Sequence, residues 1–154
     1  MRLRPPRTPD PEEVATLHID VEHEAPPRGP TRKVLLLEDR NDFQDVLREY
    51  LVSSSYQVVS VNSGIEGLHE IMNKGGFDLI LCDMMMPRMG GEMFYWAVTR
   101  VRPATRQRFI FFTGHKNNLP IEFFFQRVNA TVLYKPFKLS TLESVIRDVF
   151  RRVE

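Results

Sequence analysis

The chain has 154 residues, 42% of them hydrophobic, with 21 basic against 20 acidic side chains and a formal charge of +1. That length suits one domain with a real core and not two of ordinary size, and the even charge excludes a nucleic-acid binder that relies on bulk positive charge. The single cysteine, Cys82, cannot form an intrachain disulfide, no apolar run reaches the roughly 18 to 20 residues of a membrane span, and the start is too proline-rich and polar for a secretory signal, so the expectation is a cytoplasmic protein without membrane contact.

Residues 1–31 hold seven of the eleven prolines, as in "RPPRTPDPEE" and "EAPPRGP", and read as a flexible tail ahead of one domain over 32–154. Within the tail "TLHIDVEH" alternates Leu17, Ile19 and Val21 with polar residues, either a short strand or chance. From Lys33 two patterns take turns. "KVLLLED" is an apolar strand, and "DFQDVLREYL" sets Phe43, Val46, Leu47, Tyr50 and Leu51 at helical spacing. "YQVVSV" is a second strand. "SGIEGLHEIM" follows as a helix with Ile65, Leu68 and Met72 inward, opened by a Ser63–Glu66 capping box and stopped by Gly75 and Gly76. "FDLILCD" is a third strand, and "GEMFYWAVTRV" a helix with Phe94, Ala97, Val98 and Val101 inward and Pro103 just past its end. "RFIFFTG" makes a fourth strand and "PIEFFFQRV" a short helix from Pro120 that buries Ile121, Phe124, Phe125 and Val128 and leaves Phe123 on its wet side. "ATVLYK" is a fifth strand, and "STLESVIRDVF" a fifth helix with a Ser140–Glu143 capping box.

Five strands that are apolar throughout, each followed by a helix, imply a doubly wound α/β sandwich around a five-stranded parallel sheet. Ligands bind such sheets at the carboxyl ends of the strands. Those ends carry Glu38 and Asp39, then Asp83, then Thr113, then Lys135. Crowded carboxylates at the mouth of an apolar sheet call for a cation, and a hard divalent ion such as Mg²⁺ suits a few acids with room for water. Lys135 and Thr113 exceed what a magnesium site alone needs and point to a phosphate beside it, with Asp83 as a nucleophile able to form an aspartyl-phosphate.

This ordered set resembles the receiver domain of two-component response regulators, over roughly residues 31–154. The resemblance implies the flavodoxin-like strand order 2-1-3-4-5 and a stand-alone signalling switch, not an enzyme in the usual sense. It implies that Asp83 is the phosphoacceptor, that Asp39, Asp83 and the backbone carbonyl of Met85 hold Mg²⁺ with Glu38 acting largely through water, and that Thr113 and Lys135 engage the phosphoryl group. The Lys135–Pro136 bond is expected to be cis. Its implied partners are a histidine kinase or phosphotransfer protein upstream and a protein target downstream, with a homodimer through helix four, strand five and helix five as a further arrangement. The chain ends after the fifth helix, so no output domain is expected.

Departures from the family pattern matter as well. Val132 stands where an aromatic usually changes rotamer, which puts the switch readout in question, and Tyr134 two residues on is not its equivalent. Met85 and His115 occupy two positions that tune aspartyl-phosphate hydrolysis, and a thioether cannot orient an attacking water, so slow self-dephosphorylation is expected. Met85 also argues against a phosphohydrolase of the haloacid-dehalogenase type, which expects a second acid there. "EDRND" argues against a flavin or nucleotide cradle. A pseudo-receiver that only scaffolds partners is the remaining rival.

Overall fold

The computed structural model describes residues 31–154; the expected tail, with its alternating Leu17–Val21 segment, lies outside the described residues. Five strands form one sheet: β1 (Lys33–Leu37), β2 (Gln57–Val61), β3 (Leu79–Asp83), β4 (Phe109–Thr113) and β5 (Thr131–Tyr134). All pairings are parallel, as the apolar strands lead one to expect, and the order is β2-β1-β3-β4-β5, as the family resemblance implies. Five α-helices connect and follow them: α1 (Asn41–Ser53), α2 (Gly64–Asn73), α3 (Gly91–Val101), α4 (Leu119–Val128) and α5 (Leu139–Val153). A 3-10 turn over Pro103–Arg108, not foreseen, leads from α3 into β4. Among the described residues no helix is long and apolar enough to cross a membrane.

Because successive strand side chains face opposite ways, the sheet divides its residues between two cores. Leu35, Leu37, Ile80, Cys82, Phe109 and Phe111 pack under α2, α3 and α4. Val34, Leu36, Leu79, Leu81, Ile110 and Phe112 pack under α1 and α5. Most of these side chains have no exposed surface, and full burial of one large aliphatic side chain is worth about 1.5–3 kcal/mol, so the sheet's apolar runs drive the fold. From β1 the chain turns to β2 and from β3 to β4, in opposite directions. The crevice of the sheet therefore opens between the ends of β1 and β3.

The helices depart from expectation in which residues they bury. Val46 of α1, Ile65 and Met72 of α2 and Val101 of α3 are about half exposed, while Gln44, Gly64, Gly67, Ile71, Tyr95 and Thr99 face inward. In α2 the reason is proximity: a Cβ on Gly64 would meet the Met89 carbonyl oxygen at 2.6 Å, and one on Gly67 would meet Leu37 Cδ2 at 2.5 Å. Gly75, at a φ of +56°, ends the helix with its N–H on the Ile71 carbonyl, as expected. Ser63 caps α2 by accepting the Glu66 N–H, and the Glu66 carboxylate reaches back to the N–H of Asn62. The second capping box does not form. The N-cap of helix α5 lies two residues earlier, at Lys138, so the helix starts at Leu139 and Ser140 lies inside the first turn.

The glycine contacts set a test. Gly64→Ala and Gly67→Ala are expected to lose about 1–3 kcal/mol of stability in urea denaturation despite the roughly 1 kcal/mol that alanine adds to a helix. Gly114, with open space around its Cα, serves as the control and should tolerate alanine with little change in midpoint.

Candidate functional site

Side-chain alternation decides what reaches the crevice. Glu38 continues the Val34 and Leu36 side of β1, Asp83 the Leu79 and Leu81 side of β3, and Lys135 the Leu133 side of β5. All three therefore emerge on the face covered by α1 and α5. Thr113 has the opposite parity and belongs with Phe109 and Phe111, toward α4. Neighbouring strands are held in register there, with Asp83 beside Phe112 and Thr113 beside Tyr134.

Glu38 and Thr113 have no exposed surface and Asp83 is 5% exposed. Carboxylate oxygens of Glu38, Asp39 and Asp83 lie within 4.8 Å of one another. Lys135 Nζ sits 3.1 Å from Glu38 Oε2 and 3.5 Å from Asp83 Oδ1. The other Glu38 oxygen accepts the backbone N–H of Arg40 at 3.1 Å. The lysine's ammonium lies 4.6 Å from the centre of the Phe43 ring, close enough for a cation–π contact. Its backbone N–H donates to the Thr113 carbonyl of β4 at 2.8 Å, and the Lys135–Pro136 bond that follows is cis. Thr113 Oγ1 accepts the His115 N–H at 3.0 Å, which leaves its own proton free to donate.

Three carboxylates thus face one ammonium. Burial raises the Asp83 carboxyl to about 6, Glu38 adds to that rise, and Lys135 opposes it. Glu38 is also raised, chiefly by burial, against the Arg40 N–H and Lys135. The cluster of oxygen donors with surplus negative charge fits a hard divalent cation such as Mg²⁺. The Met85 side chain is 52% exposed, so the group it can offer is its backbone carbonyl. Cys82 is fully buried, its thiol pushed well up by burial and by Asp83, as befits a packing residue.

Val132, Tyr134 and Phe123 lie elsewhere, on the α4 side. Val132 is partly buried against the core that contains Phe111. The Tyr134 hydroxyl donates to Glu122 Oε1 of α4 at 2.8 Å, and that bond, more than burial, raises the phenol above its usual range. Phe123 is 63% exposed, as its position on the helix implies.

Three residues that support the site were not singled out from the sequence. Gln44 Nε2 donates to the carbonyls of Glu38 and Val61, both at 2.9 Å, and so holds the end of β1. Phe43 flanks Lys135, and the Arg40 backbone orients Glu38. Phe43 was visible as a stripe residue, but its role was not. A buried glutamine leaves no periodic signal.

The profile of the response regulator receiver domain matches residues 34–147. A probable chemotaxis protein CheY of Rhizobium etli is 30% identical over 77% of this chain and 92% of its own length. The transcriptional regulatory protein PcoR of Escherichia coli is 28% identical over 79% of this chain, which spans only about half, 52%, of that relative. Among solved structures, chemotaxis protein CheY4 of Vibrio cholerae superposes with a TM-score of 0.70 at 27% identity, over 78% of this chain and 99% of that one.

Surplus negative charge in the crevice has a measurable cost. The folded pKa of Asp83 lies above the ordinary value of about 4, so its stabilising contribution is complete below that pH and is lost as pH rises through about 6. Without divalent cation at neutral pH, Asp83→Asn is therefore expected to raise stability by on the order of 1–3 kcal/mol, and the gain should fade on acidification toward pH 4. Added Mg²⁺ should raise the Tm of the unsubstituted chain more than that of Asp83→Asn. Thermal melts across pH, with and without Mg²⁺, check both.

Proposed function

The chain belongs to the response regulator receiver family, and from that membership we propose that Asp83 accepts a phosphoryl group from a histidine kinase or phosphotransfer protein and that the domain signals the event through protein contacts. The observation that carries this reading is the convergence of buried Asp83 with Glu38, Asp39 and the Lys135 ammonium at the crevice of the sheet. A scaffold that only docks partners has no use for two buried acids set against a partly buried cation, an arrangement that is costly to desolvate.

In the reaction, an Asp83 carboxylate oxygen bonds to phosphorus as the P–N bond of the donor's phosphohistidine breaks. The imidazole departs with the electron pair and takes up a proton. Asp39 and Asp83, with the Met85 carbonyl, would hold Mg²⁺, and Glu38 would act on it largely through water. When bound, the ion supplies positive charge opposite the incoming phosphoryl oxygens. Lys135, already 3.5 Å from Asp83, pairs with one oxygen of the product, and the free Thr113 proton donates to another. Catalysis here rests on position and charge, with no general base among these residues.

The product adds about two negative charges and three acceptor oxygens to the crevice. Thr113 is drawn toward them, and its register neighbour on β5 is Tyr134. With Val132 too short for an aromatic rotamer switch, the Tyr134–Glu122 hydrogen bond is the link from β5 to α4. Helix α4 then repositions Phe123, the exposed aromatic of the partner surface, against a downstream target or against a second copy through α4, β5 and α5.

Incubation with Mg²⁺ and a small phosphodonor such as acetyl phosphate should add one phosphoryl group by intact mass, and none in Asp83→Asn or after chelation. Its lifetime should be far longer than seconds, because Met85 offers no group to orient water; decay within seconds would contradict this. Tyr134→Phe is expected to leave phosphorylation intact while reducing the phosphorylation-dependent change in partner binding or self-association. Phe123→Ser should weaken that binding itself, and unchanged association in both phosphorylation states would remove Phe123 from the surface.

A further inference from the structure

At the opposite end of the sheet, where β4 and β5 begin, a cavity of about 470 Å³ opens between the 3-10 turn, the α4–β5 connection and the end of α5. That volume lies in the range of about 300–1,000 Å³ typical of small-molecule pockets. Its floor is aromatic. Tyr95, Phe109 and Phe111 are each at least 95% buried, with Tyr95 edge-on to Phe109 at 5.0 Å between centroids and Phe109 stacked on Phe111 at 5.2 Å. The small Ala130 leaves the space open on the β5 side.

Arg106 and Arg152 line the same cavity, and no acidic residue among the described residues does. Arg152 Nη2 donates to the Thr131 hydroxyl at 2.7 Å, which anchors one of its nitrogens and leaves other donors unused. Arg106 makes no hydrogen bond or ion pair among the described residues. It lies close enough to the buried Tyr95 hydroxyl to counter part of the rise that burial imposes on the phenol. Two like charges with no counter-ion in the cavity lining, among the described residues, over an aromatic floor are complementary to a ligand that is flat, apolar in body and anionic at one edge.

We propose that this cavity is a binding site for a small planar aromatic anion, a carboxylate or phosphate ester, with the ring between Val128, Ala130 and the exposed edges of Tyr95 and Phe109 and the anionic group held by Arg106 and Arg152. The site is separate from the phosphorylation crevice, since it lies at the amino ends of the strands and shares no residue with it. Its concavity and confined volume suit a small molecule better than an extended chain.

Naphthalene-1-sulfonate, which carries no transferable phosphoryl group, is a suitable probe for the full chain, followed by amide chemical shifts. Saturable binding is expected, with the largest shifts at residues 129–131 and 106–107. Neutral 1-naphthalenemethanol and inorganic sulfate alone should each bind at least about tenfold more weakly. Arg106→Gln with Arg152→Gln should reduce sulfonate affinity by a similar factor, and Ala130→Leu should block it by filling the space. Both should still fold and accept a phosphoryl group at Asp83, because they touch nothing in the crevice. Asp83→Asn should bind the probe as the unsubstituted chain does. Equal affinity for the neutral analogue, undiminished binding by the double variant, or shifts centred on residues 83–85 would each overturn the assignment.

Discussion

The molecule is organised around an electrostatic imbalance: one partly buried ammonium, that of Lys135, shared between the buried Glu38 and Asp83 where two strands part. Each carboxylate alone would be too costly to bury in ionised form, and the lysine meets only part of that cost. What the ammonium leaves unbalanced defines the chemistry, because the crevice favours added positive charge. The rest of the fold keeps the imbalance from relaxing. Gln44 fixes the end of β1, the Phe43 ring packs against the lysine's ammonium, and the Thr113 carbonyl ties its backbone to β4. Rotation of any one group away from the others would expose apolar sheet or leave a charge without a partner.

A second constraint is the two-residue repeat of the strands. It sends the acids and Lys135 to the face under α1 and α5, and Thr113, Val132 and Tyr134 to the face under α4. The proposed event and its proposed readout therefore sit on opposite sides of one sheet, joined at the ends of β4 and β5. Tyr134 gains its importance from this geometry: it is next to Thr113 in register and reaches α4 through Glu122. The residue two before it, where the family places an aromatic, packs here as a simple aliphatic.

The strands were legible because a buried parallel strand is apolar at every position, and their terminal residues announced the crevice directly. Lys135 could be grouped with Asp83 across 52 residues only because parallel topology brings all carboxyl ends to one edge. Helical faces were less legible where large apolar residues were taken as the inward stripe. In α2 the inward positions are glycines, whose value lies in letting Leu37 and Met89 come close, and a count of hydrophobic side chains passes over them. In α1 and α3 buried Gln44 and Thr99 satisfy their polar atoms on backbone carbonyls, so neither looks like a core residue in the sequence. The Ser140–Glu143 pair had the pattern of a cap, yet the helix starts at Leu139, ahead of it.

Cys82 lies one residue before Asp83, the proposed phosphoacceptor, on the opposite face of β3, with no exposed surface and its Sγ 3.4 Å from the Asp83 carbonyl oxygen. An alkylating reagent can reach that sulfur only when β3 separates from the helices above it. The chain's sole thiol is thus a built-in clock for opening of the central strand. Its labelling rate, read with the crevice empty or occupied, converts events at a neighbouring carboxylate into a measure of how firmly the whole sheet is closed.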